Sequence, residues 1–177
     1  MKSWLFALGL ALCCVVQANE KKPFQNFDCS KMARNWILRV IVTNCSHFEN
    51  MIRGIKACPV SFVKKSQENM EMIMDMFTPQ GCQIIKVNLT WVNGAIVATC
   101  GDGVEKTVED VRINKNTMYT SARVRGKEQC KVATLAAKDI ADIQPDLEDF
   151  TRFVNGVGLE GKKIYVLPTE DICPRSS

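Results

Sequence analysis

The sequence predicts an all-β fold, an eight-stranded up-and-down antiparallel barrel with one C-terminal α-helix packed outside. Three observations predict it. Apolar residues recur with period two from Trp36 to about Leu135. Turn-forming pairs such as Asn93-Gly94 interrupt that alternation at short intervals. After Ala137 the period changes to that of an amphipathic helix.

Each element follows from its residues. Early strands are expected near 36–43 and 55–63, with Pro59 marking a bulge in the second. From Asn69 to Phe77, Met70, Met72, Met74 and Met76 share one face, and Glu71, Ile73, Asp75 and Phe77 share the other. The two acids assign the second face to solvent, so the methionines point inward. Thr78-Pro79-Gln80-Gly81 supplies a turn. Between Cys82 and Trp91 the alternation resumes, with Ile85, Val87, Leu89 and Trp91 inward and Lys86, Asn88 and Thr90 outward. Asn93-Gly94 marks a hairpin, and a short strand ends at Gly101-Asp102-Gly103. Further strands are expected near 107–113, 118–125 and 131–137, with Arg125-Gly126-Lys127 as a turn. Pro145 then suits the first turn of a helix, with Asp146, Glu148 and Asp149 at its positive end. Leu147, Phe150, Phe153 and Val154 form its apolar stripe, Gly156 stops it, and 164–167 reads as a last short strand.

The chain is built for export. Lys2 is followed by an apolar run from Trp4 through Val16, with Val16 and Ala18 at the -3 and -1 positions of a cleavage site. That is the layout of a cleaved signal peptide over 1–18, too short in its apolar core to anchor in a bilayer. Residues 19–177 then form a single secreted, extracellular domain. The 177-residue chain has a formal net charge of only +4 and no long basic run. A nucleic acid is therefore a poor candidate partner, and no second apolar run predicts a membrane span.

Cysteine usage agrees with export. Of nine cysteines, Cys13 and Cys14 leave with the signal, and Cys29, Cys45, Cys58, Cys82, Cys100, Cys130 and Cys173 remain. An odd number implies disulfides and at least one cysteine without an intramolecular partner, which opens a disulfide-linked dimer as one outcome. There is no C-x-x-C pair and His47 is the only histidine, so neither a metal site nor a cofactor is expected. Asn44-Cys45-Ser46 and Asn88-Leu89-Thr90 are N-glycosylation sequons.

Asn26-Phe27-Asp28, Lys31 and Trp36 resemble the opening motif of the lipocalins, with Arg34 standing where that family places glycine. The resemblance continues through Val132-Ala133-Thr134-Leu135, Phe150-Thr151-Arg152-Phe153 and Ile164-Tyr165-Val166-Leu167-Pro168 to Cys173. It implies a Cys82–Cys173 disulfide, a hollow barrel and a small hydrophobic ligand. Two departures mark a divergent member. The motif after the sixth strand reads Asn114-Lys115-Asn116-Thr117-Met118, and Lys138 replaces the arginine that packs on the motif tryptophan. Trp36 is expected in the core at the barrel bottom.

Three functions follow. The first is a secreted carrier whose cavity is lined by Met70, Met72, Met74, Met76, Ile85, Val87, Leu89 and Trp91; methionine is flexible enough to adapt to varied apolar ligands. The composition alone favours these side chains filling a solid core, and the resemblance reverses that preference in favour of a cavity. The second is a thiol-dependent isomerase, since Cys58 follows Trp36 at the spacing seen in lipocalin-type prostaglandin D synthases. There Lys56, on the same strand face, would stabilise a thiolate. The opposing expectation is that Cys58 is disulfide-bonded or an inert buried thiol. The third is a secreted protein-interaction module.

Overall fold

A computed structural model of the protein describes residues 28–99, 104–126 and 128–175. The signal segment, Asn26 and Phe27, the Cys29 side chain, Cys100 and the Gly101-Asp102-Gly103 turn lie outside the described residues.

The strands are β1 (Trp36–Thr43), β2 (Cys58–Lys64), β3 (Asn69–Thr78), β4 (Gly81–Val92), β5 (Ala95–Thr99), β6 (Glu105–Ile113), β7 (Thr117–Arg125), β8 (Gln129–Ala137) and β9 (Ile164–Val166). Neighbours pair antiparallel in chain order from β2 to β8, β8 pairs with β1, and β1 returns to β2 through Trp36↔Val60. The first eight strands therefore close on themselves, which removes the sheet edges. β9 lies beside β1 through Val40↔Val166. Asn93 (φ 52°) and Gly94 (φ 77°) make the β4–β5 turn with left-handed backbone at both positions, as a two-residue hairpin of this twist requires. No bulge occurs at Pro59, which pairs in register with Ile37. The irregularities lie instead between Leu38 and Val40 in β1, and between Val108 and Asp110 in β6.

The β1 bulge has a packing consequence. An extra residue reverses the faces beyond it, so Trp36 belongs to the barrel interior while Val40 and Val42 face outward. There they meet α2, which is the second α-helix (Gln144–Gly156); the first, α1 (Ser46–Ile52), lies in the β1–β2 connection. Phe150, Phe153 and Val154 of α2 are buried against Val40, Val42, Tyr119, Ala133 and Leu135. The Tyr119 ring stands edge-on to Phe150 at 5.4 Å between centroids, a favourable aromatic arrangement. The sequence did not reveal α1. Its first turn gains hydrogen bonds from a distant residue: Ser46 Oγ (3.0 Å) and the His47 N–H (3.2 Å) donate to the Glu128 carboxylate.

Among the described residues two disulfides fasten the structure, Cys45–Cys130 beside α1 and Cys82–Cys173 on the outer wall. On that outer wall the sequence reading of Asp75 needs correction. Assigned to solvent, it is only 5% exposed. The C-terminal segment crosses this face, with Cys173 bonded to Cys82 and Asp171 paired to Lys56 above Phe77.

Candidate functional site

The pairings Val60↔Met74, Phe62↔Met72, Met72↔Val87, Met74↔Ile85, Leu89↔Ala98 and Trp91↔Ile96 place these side chains on one continuous surface, the inside of the barrel. That surface is graded. At one end Trp36, Met70, Val87, Leu89, Ile96 and Met118 are buried. The Trp36 indole N–H donates to the Met32 carbonyl at 3.2 Å, just after the short 3-10 helix Cys29–Lys31. This end is closed by packing.

Higher along β3 and β4, Met72, Met74, Met76 and Ile85 point inward yet are only half-buried. Of the expected ligand contacts, Met70, Val87 and Leu89 belong to the packed end. Met72, Met74, Met76 and Ile85 lie in the half-buried zone, and Trp91 is half-buried near the β4–β5 turn. Thr120 and Thr134 also face inward and share a hydrogen bond of 2.6 Å, so each satisfies the other.

The end of the barrel beside α1 carries a feature that the sequence reading missed. Lys106 pairs with Ala98 on β5 and Val124 on β7, both buried and inward-facing. Its ammonium lies 4.7 Å from the ring centroid of Phe48 on α1, a cation–π contact. The β6 bulge hides this in the sequence, because it puts Lys106 and Val108 on the same face as Val111 and Ile113. A bulge signal at Glu109 was the only route to it, and none is visible in the residues.

Cys58 also lies on the inner register, paired with Leu38. It is fully buried and carries no disulfide, which corrects the expectation that it is bonded. Burial and, second, the nearby charge of Asp75 push its thiol up to about 12. Lys56 does not support it; that ammonium is 3.4 Å from Asp171 and 4.3 Å from the Phe77 centroid, outside the barrel. His47 is exposed on α1. As a buried thiol, Cys58 is not placed to link two chains. Both sequon asparagines are exposed; Asn88 stands on the outward register with Lys86, while Asn44 Oδ1 accepts the Lys131 N–H at 2.6 Å. Among the described residues no helix is long and apolar enough to cross a membrane.

No family model matches the chain, and no curated protein matches it by sequence. Solved structures do match. The siderocalin Ex-FABP, described as functioning through dual ligand specificities, is 15% identical with a TM-score of 0.67 over 81% of this chain and 99% of its own. The bovine lipocalin allergen Bos d 2 is 16% identical, with a TM-score of 0.66 over 84% and 100%. Aphrodisin, a sex pheromone from female hamster, is 14% identical, with a TM-score of 0.66 over 81% and 99%. At these identities the likeness is one of fold. The chain has the lipocalin fold, and no subgroup within it is singled out.

Proposed function

We propose that this protein is a secreted, glycosylated lipocalin, cut after residue 18 to a single domain over 19–177, that binds and carries a small hydrophobic molecule inside its barrel. One observation supports this most: inner-face residues around Trp36 are buried, whereas Met72, Met74, Met76 and Ile85 on the inner register of β3 and β4 are only half-buried. Water against such a wall is displaced favourably by an apolar ligand, at about 25 cal/mol per Å² of apolar surface covered. Met70, Val87, Leu89 and Trp91 continue the wall toward its floor. Glycans on Asn88, and on Asn44 where used, project from exposed positions.

The isomerase reading is weaker. A thiol pushed up to about 12 is almost wholly protonated at neutral pH, and the thiol form is a poor nucleophile. No particular surface supports the interaction-module reading.

Expression of the full chain in cultured animal cells tests the proposal. The medium should contain a protein beginning at Asn19, lighter after glycosidase treatment, that binds one molecule of the neutral fluorophore N-phenyl-1-naphthylamine saturably. Retention in the cells, or secretion without binding, overturns it.

A further inference from the structure

We infer, resting on the secreted and glycosylated reading above, that Asn44 is a conditional glycosylation site. It is open to oligosaccharide transfer only until the Cys45–Cys130 disulfide closes, whereas Asn88 is free of that competition. The two sequons differ in where their three residues go. In Asn44-Cys45-Ser46 each residue is fastened to one short stretch, 128–131. The Asn44 N–H donates to the Lys131 carbonyl at 3.3 Å, and Asn44 Oδ1 accepts the Lys131 N–H at 2.6 Å. Cys45 is fully buried and bonded to Cys130. Ser46 Oγ donates to the Glu128 carboxylate at 3.0 Å. In Asn88-Leu89-Thr90 no cysteine takes part, and Thr90 Oγ1 donates to Asn69 Oδ1 on the neighbouring strand at 3.1 Å.

Transfer forms a bond between Asn44 Nδ2 and the anomeric carbon of a lipid-linked oligosaccharide diphosphate. The carbon–oxygen bond to the diphosphate breaks, the amide gives up a proton, and the lipid diphosphate leaves. The transferring enzyme reads an extended acceptor through the hydroxyl two residues on, here Ser46. Disulfide closure removes both requirements. Two thiols pass two electrons and two protons to a disulfide-bearing oxidoreductase of the secretory compartment, and the Cys45–Cys130 sulfur–sulfur bond forms. Cys45 is then buried and the Ser46 hydroxyl is engaged by Glu128.

Chain order gives transfer a head start. Cys130 lies 85 positions after Cys45, so at ordinary synthesis rates it emerges about 4–17 s later. In that interval Asn44 is open, and a chain still unmodified when the disulfide forms stays unmodified. A chain already modified still folds. The Lys131 N–H bonds to Oδ1, and the sugar is borne on Nδ2 of an exposed side chain. Two folded glycoforms result, and their ratio reports the race.

The test measures occupancy of each sequon by mass spectrometry, on cellular plus secreted protein from animal cells expressing the full chain. Glycosidase release in heavy-oxygen water marks each asparagine that carried a glycan. Wild type should be modified at Asn44 on a fraction of chains, and Cys130→Ser should roughly double that fraction or more, with Asn88 unchanged. Cys82→Ser deletes the other described disulfide and leaves Cys130 and the Asn44 sequon in place. It should keep the wild-type value at Asn44, which separates loss of this one bond from slower folding in general. Equal Asn44 occupancy in wild type and Cys130→Ser overturns the inference and leaves the secreted, glycosylated reading standing. An equal rise in Cys82→Ser, or a matching rise at Asn88, overturns it as well. Glycan at neither sequon in any of the three proteins removes that reading and this inference together.

Discussion

Cys82 and Cys173 are joined across 91 positions of sequence, which ties the C-terminal segment to the outer face of β4. The segment brings Asp171 to Lys56, whose ammonium lies over the Phe77 ring. Cross-linking a loop of this length restricts the unfolded chain, by about 4–5 kcal/mol in the chain-entropy model. Cys82→Ser should therefore lower the unfolding free energy by up to that amount in urea titrations. A variant that unfolds at the wild-type midpoint would mean the bond contributes nothing to stability.

Trp36 is fully buried and donates its indole N–H to the Met32 carbonyl. Trp36→Ala should cost about 3–5 kcal/mol, the range for deleting a large buried ring. Trp36→Phe keeps most of the apolar contact and removes the donor, so a smaller loss of about 1–3 kcal/mol is expected. Equal stability of the two variants would show that the hydrogen bond, not the ring, dominates this floor.

Arg39 is buried at the β1 bulge itself, with Nη1 donating to the carbonyls of Ala141 (3.0 Å) and Asp139 (3.5 Å) between β8 and α2. Arg39→Met keeps the apolar stem and removes these bonds. Unfolding free energy should fall by roughly 1–3 kcal/mol, and amide exchange should quicken at Asp146 and Leu147, whose N–H groups bond to the Ile143 carbonyl. Unchanged exchange there would separate Arg39 from the seating of α2.

Cys58 gives a pH signature. Its thiol is pushed from 9.0 up to about 12 by burial and by Asp75. Below pH 9 both folded and unfolded thiols hold their proton, so the contribution is constant. Between pH 9 and about 12 the unfolded thiol ionises while the folded one does not, so stability falls as pH rises, by at most ~1.4 kcal/mol per unit. Cys58→Ala lacks this slope, and the stability gap between it and wild type should narrow from pH 8 to pH 10. Iodoacetamide at pH 8 should leave Cys58 unmodified in the folded protein and label it in guanidinium chloride. Rapid labelling of the folded protein would instead indicate a reachable thiolate and revive the isomerase reading.

Much of the barrel was legible in the residues, because alternation over β3 and β4 fixes which side chains face inward, and Asn93-Gly94 fixes the hairpin. Features set by distant residues or by bulges were not. α1 has seven residues, too few to stand alone, and it is bonded by Glu128 and flanked by the Cys45–Cys130 disulfide. The β1 bulge turns Val40 and Val42 toward α2, and the β6 bulge turns Lys106 inward; strict alternation assigns these residues to the opposite faces. Asp75 alternates with the outward residues of β3 and so reads as a solvent residue, yet it is buried.

The carrier account is tested most directly by N-phenyl-1-naphthylamine binding to wild type, Met74→Arg and Lys86→Glu. Met74 faces inward between Val60 and Ile85, and Lys86 is exposed on the outward register of β4. An arginine at position 74 puts an unpaired cation into the apolar wall, at a cost of about 2 kcal/mol or more to a ligand that must desolvate it. Wild type and Lys86→Glu should bind alike, and Met74→Arg should bind at least tenfold more weakly with an unchanged circular dichroism spectrum. Wild-type affinity in a folded Met74→Arg protein, or no binding by wild type, would contradict a ligand seated on the methionine wall.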